Sequence, residues 1–374
     1  MPGMNASQPR PPIEPSNATG PPVRYGIIGT GMMGGEHLLD LAHIADAQVV
    51  ALSDPVASSL EWGVACTGHA VATYTDHRDL IARDDLDAVV IASPNHTHAS
   101  LLDDILATDL AVLVEKPMCT TVEDALRVRR LADGRDALTW VGLEYRYIPT
   151  VSVLLDQLAT GVCGTTRMVS IREHRFPFLV KVGNWNRFTA NTGGTLVEKC
   201  CHFFDLMRLA AGADPVRVMA SGGQDVNHLD EVYDGRVPDI LDNAYVIVEF
   251  ANGVRGALDL SMFAEGGRYE QEITIVGDAA KLEATVPGDR VFVGPRDRSG
   301  VREVDAPTPA DVPYPEFHSG SSYLEHLRFI DCLRAGRAAE VTVDDGLWSV
   351  VMGAAAHRSI DERRIVEISE YDLG

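Results

Sequence analysis

Gly29-Thr30-Gly31-Met32-Met33-Gly34 sets three glycines at G-x-G-x-x-G spacing, straight after the apolar run 24–29 and ahead of a helical stretch at 32–43. Fed by a strand and left by a helix, such a loop cradles phosphate. The first glycine permits a tight turn, the second lets backbone approach a pyrophosphate, and the third allows close helix–strand packing. The amides and dipole of the helix start hold the phosphates. Asp54 ends the next apolar run, twenty residues beyond Gly34. A carboxylate there accepts hydrogen bonds from the adenosine ribose and repels a 2′-phosphate, which favours NAD over NADP. A glycine-rich turn without a ligand is the competing reading, and the strand–turn–helix–acid order argues against it.

Two polar loops follow later apolar runs: Ser93-Pro94-Asn95-His96-Thr97-His98 and Glu115-Lys116-Pro117. In open α/β sheets ligands bind outside the carboxyl ends of the strands. Ser93, Asn95, His98, Glu115 and Lys116 therefore join Gly29, Thr30, Gly31, Met32, Met33, Gly34 and Asp54 as candidate cofactor contacts.

The elements that would position these residues alternate from 23 to 147. Short apolar runs at 24–29, 48–53, 87–92, 110–114 and 138–143 are separated by helical stretches such as 32–43 and 122–132. Strands too apolar to be half-exposed, interleaved with helices, predict a doubly wound parallel sheet covered on both faces. Past Pro149 the rhythm changes. Strand-like runs at 168–172, 216–220, 244–250, 254–262, 272–276 and 290–293 follow mostly in succession, with Ala251-Asn252-Gly253 as a turn between two of them. This predicts an α+β domain over 148–374 with a large, mostly antiparallel open sheet and few helices. Stretches 224–242 and 294–318, rich in Pro, Gly and acids, read as surface loops, and 344–361 resumes helical spacing.

Acids outnumber bases 54 to 32 in 374 residues, a formal net charge of -22. Such a chain has no general attraction for nucleic acid or anionic lipid, and 6% aromatic content leaves little for base stacking. No apolar run reaches membrane-spanning length. Residues 1–22 hold seven prolines and one basic residue, Arg10, without an apolar segment, so they read as a disordered leader and not as a secretory signal. Six cysteines without framework spacing fit reduced thiols in the cytoplasm.

The ordered set of motifs resembles the glucose–fructose oxidoreductase / inositol dehydrogenase / MocA family. It comprises the glycine loop at 29–34, the loops at 93–98 and 115–117, Tyr145-Arg146-Tyr147, Asn184-Trp185-Asn186-Arg187, 193–205 with Glu198 and His202, and 341–346. The resemblance spans about 23 to 368 and is specific for the family, not for a substrate. It implies a Rossmann domain joined to a second domain whose open sheet forms an oligomer interface, and NAD(P)-dependent chemistry on sugars, inositols or related polyols.

Carried over from the family, the catalytic trio is Lys116, Glu198 and His202. Oxidising a carbinol carbon requires the hydroxyl proton to leave with the hydride, so a positioned base is needed. Lysine beside the oxygen orients it and stabilises developing charge, and a histidine titrating near neutrality is the natural acceptor. Glu198 and His202, four residues apart, share a face if the segment is helical. Two departures from the family stand out: Glu198 replaces an aspartate, and Cys200 a glycine.

Tyr145, Arg146, Trp185, Asn186 and Arg187 join Lys116, Glu198 and His202 as candidate substrate contacts, since sugars stack on rings and bind amides and guanidinium groups. The alternative for each is a core ring or a surface charge. His174, Arg175 and His318 are weaker candidates. No metal is expected, because the adjacent Cys200 and Cys201 rarely point to one centre; they read as packing residues. The expected protein is an NAD-dependent sugar or cyclitol dehydrogenase assembled as a homodimer or homotetramer. The alternatives are an epimerase or glycosidase that retains NAD as a shuttle, and a non-catalytic NAD-binding sensor or scaffold.

Overall fold

A computed structural model of the protein describes residues 20–316 and 318–374. The leader expected over 1–22 lies outside the described residues as far as residue 19.

The first domain runs β1 (Val23–Ile28), α1 (Met32–Leu41), β2 (Ala47–Ser53), α2 (Ala57–Thr67), β3 (Ala72–Tyr74), α3 (His77–Ile81), β4 (Ala88–Ile91), α4 (His98–Ile105), β5 (Ala111–Glu115), α5 (Val122–Ala132) and β6 (Thr139–Gly142). All its strands are parallel, in the order β3-β2-β1-β4-β5-β6. Every residue of β4 and β5 is buried, which is why their sequences are continuously apolar. Strand order reverses between β1 and β4, and their carboxyl ends diverge there into a crevice.

The second domain contains α6 (Pro149–Ala159), β7 (Thr166–His174), α7 (Thr189–Thr192), α8 (Thr195–Glu198), α9 (Cys201–Ala211), β8 (Pro215–Gly223), β9 (Asn243–Phe250), β10 (Arg255–Ser261), β11 (Gln271–Gly277), β12 (Ala280–Val286), β13 (Arg290–Pro295), β14 (Arg302–Asp305), α10 (Ser321–Ala335), α11 (Val343–Glu362) and β15 (Val366–Glu367). Nine strands form one sheet in the order β14-β13-β12-β11-β7-β10-β9-β8-β15. Its pairs are antiparallel except β7 with β10. Alternation decides the faces. In β9, Ala244, Val246, Val248 and Phe250 point inward, while Tyr245 and Ile247 are 68% and 42% exposed. The inner face is covered by α6, α9 and α11; Met168, Met219, Tyr245 and Ile247 stand on the open face.

Helix α11 ties the domains together. It packs on α5 and β6 of the first domain and on α9 and β8 of the second. Its start is fixed by a reciprocal cap, in which Asp345 N–H donates to Thr342 Oγ1 at 3.1 Å and Thr342 N–H to Asp345 Oδ2 at 2.9 Å.

Helix content in the second domain exceeds the expectation from sequence. The stripe of α10 is broken by buried Glu325, His326 and Arg328, whose partners Trp140, His37 and Glu340 lie far off in sequence or on the following turn. Stretch 294–318, expected as loop, contains β14, a polar edge strand with little apolar alternation to mark it. Among the described residues, no helix is long and apolar enough to cross a membrane.

Candidate active site

The glycine loop turns at the carboxyl end of β1. Gly29 has φ of +90°, in the left-handed region that favours glycine, and a Cβ there would lie 2.5 Å from Ser93 N. A Cβ on Gly34 would lie 2.1 Å from Gly29 O, so helix and loop touch backbone to backbone. Gly31 differs. A Cβ there would meet nothing within 4 Å, yet Gly31 lines the cleft. The protein itself does not require this glycine; a group lying against the loop does, which fits a dinucleotide pyrophosphate at the start of α1. Asp54 sits beneath. Its Oδ2 accepts from Thr30 N–H at 2.8 Å and its Oδ1 from Val56 N–H at 2.8 Å, and it still faces the cleft.

The cleft encloses about 640 Å³. Asp54 and residues 75–78 line one end; Glu115, Lys116, Lys181, Trp185 and Glu198 line the other. Glu115 is held by His37, whose Nε2 lies 2.9 Å from Oε1, while Oε2 accepts from Lys116 N–H at 3.1 Å. His37 Nδ1 in turn lies 2.9 Å from His326 Nε2 on α10. Burial pushes the Glu115 carboxyl up, but the hydrogen bond and charge of His37 outweigh it and leave the carboxyl below its usual range. Lys116 Nζ has no hydrogen bond or ion pair among the described residues. Burial works against its charge, and Cys201, Glu144 and Glu115 overcome it, so Lys116 stays protonated.

Glu198 ends α8 and His202 lies at the start of α9, so the single helical face expected for them is interrupted. Glu198 presents Oε2, buried and without a partner, at the cleft. His202 lies behind the wall, stacked on Tyr145 with centroids 4.0 Å apart and planes at 11°. Its Nε2 is 3.6 Å from Oε1 of buried Glu144. The expectation that His202 titrates near neutrality does not hold: burial, then the charges of Lys116 and Lys199, hold its pKa well below the usual value. Burial, then the charge of Glu115, pushes Glu144 up to about 7.

Of the candidate cofactor contacts, Gly29, Gly31, Met32, Met33, Asp54, Ser93, Asn95, Glu115 and Lys116 line the cleft. Thr30 and Gly34 serve the loop from behind. His98 clamps two loops, with Nδ1 2.9 Å from the Pro117 carbonyl and Nε2 3.0 Å from that of Ser93. Of the candidate substrate contacts, Lys116, Trp185 and Glu198 line the cleft. The rest do not, because other partners claim them. Arg146 is buried against Asp205 at 2.5 Å and Asp345 at 3.2 Å. Arg187 pairs with Glu231 at 2.9 Å, Asn186 donates to Leu179 O, and Tyr145 OH accepts from Lys199 Nζ at 2.7 Å. His174, Arg175 and His318 face Asp259, Glu173 and Glu36 instead. Cys200 and Cys201 are buried thiols, pushed up by burial, Cys201 to about 12. Sequence reasoning missed Lys181, on the segment that crosses the cleft, Glu144, directly before Tyr145-Arg146-Tyr147, and Lys199, inside the motif at 193–205.

Two family models match the chain: the oxidoreductase family NAD-binding Rossmann fold over residues 23–143, and the oxidoreductase family C-terminal alpha/beta domain over 156–368. Fold and cleft thus define an NAD-binding oxidoreductase. The chain belongs to the glucose–fructose oxidoreductase / inositol dehydrogenase / MocA family. It is 28% identical over 354 residues to myo-inositol 2-dehydrogenase of Thermotoga maritima, spanning 93% of this chain and 99% of that one. It is 25% identical over 333 residues to the rhizopine catabolism protein MocA of Rhizobium meliloti, spanning 89% and 93%. Among solved structures, levoglucosan dehydrogenase in complex with NADH shares the fold, with a TM-score of 0.80 at 20% identity over 92% of this chain and 99% of that one.

Proposed function

We propose that the protein oxidises a ring hydroxyl of a sugar, cyclitol or related polyol, with NAD taking up the hydride. The carrying observation is the convergence, at one end of the cleft with the glycine cradle, of two groups without partners among the described residues: the Lys116 ammonium and Glu198 Oε2. The names of the relatives, inositol 2-dehydrogenase above all, support the substrate class.

Bound NAD would supply the hydride acceptor, held by Gly31 and the start of α1 with Asp54 at the ribose. Lys116 donates to the reacting oxygen and steadies the negative charge that develops there. Glu198 accepts from a neighbouring hydroxyl and orients the ring. His202, kept neutral by its surroundings and set behind the cleft wall, would reach the hydroxyl only by turning off Tyr145; there it would take the proton, with Glu144 stabilising the resulting imidazolium. Lys116→Met should abolish NADH formation over a panel of inositols and aldoses while calorimetry still finds NAD bound; full turnover in that variant refutes the assignment.

The exposed side chains of Met168, Met219, Tyr245 and Ile247 further support pairing of copies through the open sheet face. Light scattering at micromolar concentration should then give a mass of two or four chains, and the mass of one chain refutes it.

A further inference from the structure

Lys181 stands on the segment 175–187, which leaves β7 and crosses the cleft before α7. The segment is pinned on the first domain's side by Trp185, whose ring meets His96 edge-on at 6.3 Å. Val180, Lys181, Val182 and Trp185 all line the cleft. Lys181 Nζ lies 5.8 Å from the Trp185 ring centroid, and among the described residues no carboxylate comes within ion-pair distance of it. The charges it senses are those of Glu198, Lys116, Glu115 and Glu36. Trp185, against His96 just beyond β4, holds Lys181 on the side of the cleft where Lys116 and Glu198 line it.

Two ammonium groups and two carboxylates line that end, and the pairs are not matched. Lys116 enters from β5 and Lys181 from the opposite wall, two ammonium groups around one space. Glu115 is already engaged by His37 and by Lys116 N–H, which leaves Glu198 as the one cleft-lining carboxylate there that is not already held. Burial pushes Glu198 itself up toward the neutral form, and burial followed by the opposing charge of Lys116 weakens the Lys181 ammonium. Lys181 thus offers the occupant of that end an ammonium that no carboxylate among the described residues has claimed. Lys116 is committed to the reacting oxygen, so one ammonium remains, which suits a monoanion. A phosphate would call for several converging donors.

On the reading that this cleft is a dehydrogenase site, we infer that the substrate is a sugar acid of the uronate type, whose carboxylate is received by Lys181 across the cleft from Lys116. A neutral polyol would leave that ammonium unanswered; the acid pairs it and places the hydroxyl-bearing carbons between Lys116 and Glu198.

The test compares D-glucuronate and D-galacturonate with D-glucose and D-galactose on the NAD-loaded protein, by calorimetric binding and separately by NADH formation. The acids should bind about tenfold or more tighter than their neutral counterparts. Lys181→Met should erase that difference, and Lys181→Arg should retain most of it. Equal binding of acid and neutral members, or an undiminished preference in Lys181→Met, overturns the inference, as does tighter binding of glucose 6-phosphate than of glucuronate. Acid binding that depends on Lys181 without NADH formation upholds this inference and defeats the dehydrogenase reading instead.

Discussion

Oε1 of Glu144 lies 3.6 Å from Nε2 of His202, and both side chains are buried. Among the described residues, the carboxyl has no hydrogen-bond partner on either oxygen. The groups whose charges act on the pair are Lys116 and Glu115 from the end of β5, Lys199 before α9, Arg175 and His318. Glu144 keeps its proton up to about pH 7, so a carboxylate able to stabilise imidazolium exists only above that pH. Turnover should therefore fall as pH drops through about 7. Glu144→Gln should remove this limb and lower kcat by roughly tenfold to a hundredfold; an unchanged profile in the variant refutes the role.

The same group gives stability a sign. Unfolded, a glutamate titrates near 4.3; folded, Glu144 titrates at about 7. Between these values the folded state holds the extra proton, so this group's contribution to stability is fully present at low pH and declines as pH rises through the window. The melting temperature of Glu144→Gln relative to the parent should accordingly rise from pH 5 to pH 8. A constant difference would show that Glu144 is not perturbed.

Gly31 and Gly34 should respond oppositely to alanine. The added methyl at Gly31 meets no protein atom, so the melting temperature should hold while NAD affinity falls about tenfold, the methyl standing where the pyrophosphate approaches. At Gly34 it strikes Gly29 O, and stability should drop by about 1–3 kcal/mol. Equal effects on melting would contradict the cradle geometry.

Asp54 joins loop and ribose. Asp54→Ala should weaken NAD binding, raise NADP binding relative to NAD, and cost about 1–3 kcal/mol of stability for the stranded Thr30 and Val56 amides. Titration of both dinucleotides checks the first two effects and thermal melting the third.

Arg146→Met separates packing from substrate binding. It takes from buried Asp205 its guanidinium partner, while Asp345 keeps Arg208 at 2.9 Å, a loss of about 3–5 kcal/mol. The protein that remains folded should keep its KM. A raised KM at unchanged melting temperature would return Arg146 to the cleft.

The parts legible in the sequence were those whose cause is local. Gly29, Gly31 and Gly34 carry their spacing because strand, turn and helix are contiguous, and the apolar runs of β4 and β5 state their own burial. Spacing puts Glu198 and His202 on one face only where the helix is unbroken, whereas the break after Glu198 turns them toward different neighbours. Arg146 and Arg187 looked like ligand-binding groups because their partners, Asp205, Asp345 and Glu231, sit 59, 199 and 44 positions away. Lys181 gave no signal because its importance comes from Lys116 across a cleft, and β14 little because an exposed polar edge has nothing apolar to alternate.

Helix α11 rests on α5 and β6 on one side and on α9 and β8 on the other, so a single rigid rod is mortared into both lobes. Large swings of one lobe against the other would tear that rod from one of its beds. Access to the cleft is then left to local segments, and on the one at 175–187 Val180 and Val182, 69% and 59% exposed, flank Lys181 at the cleft's edge.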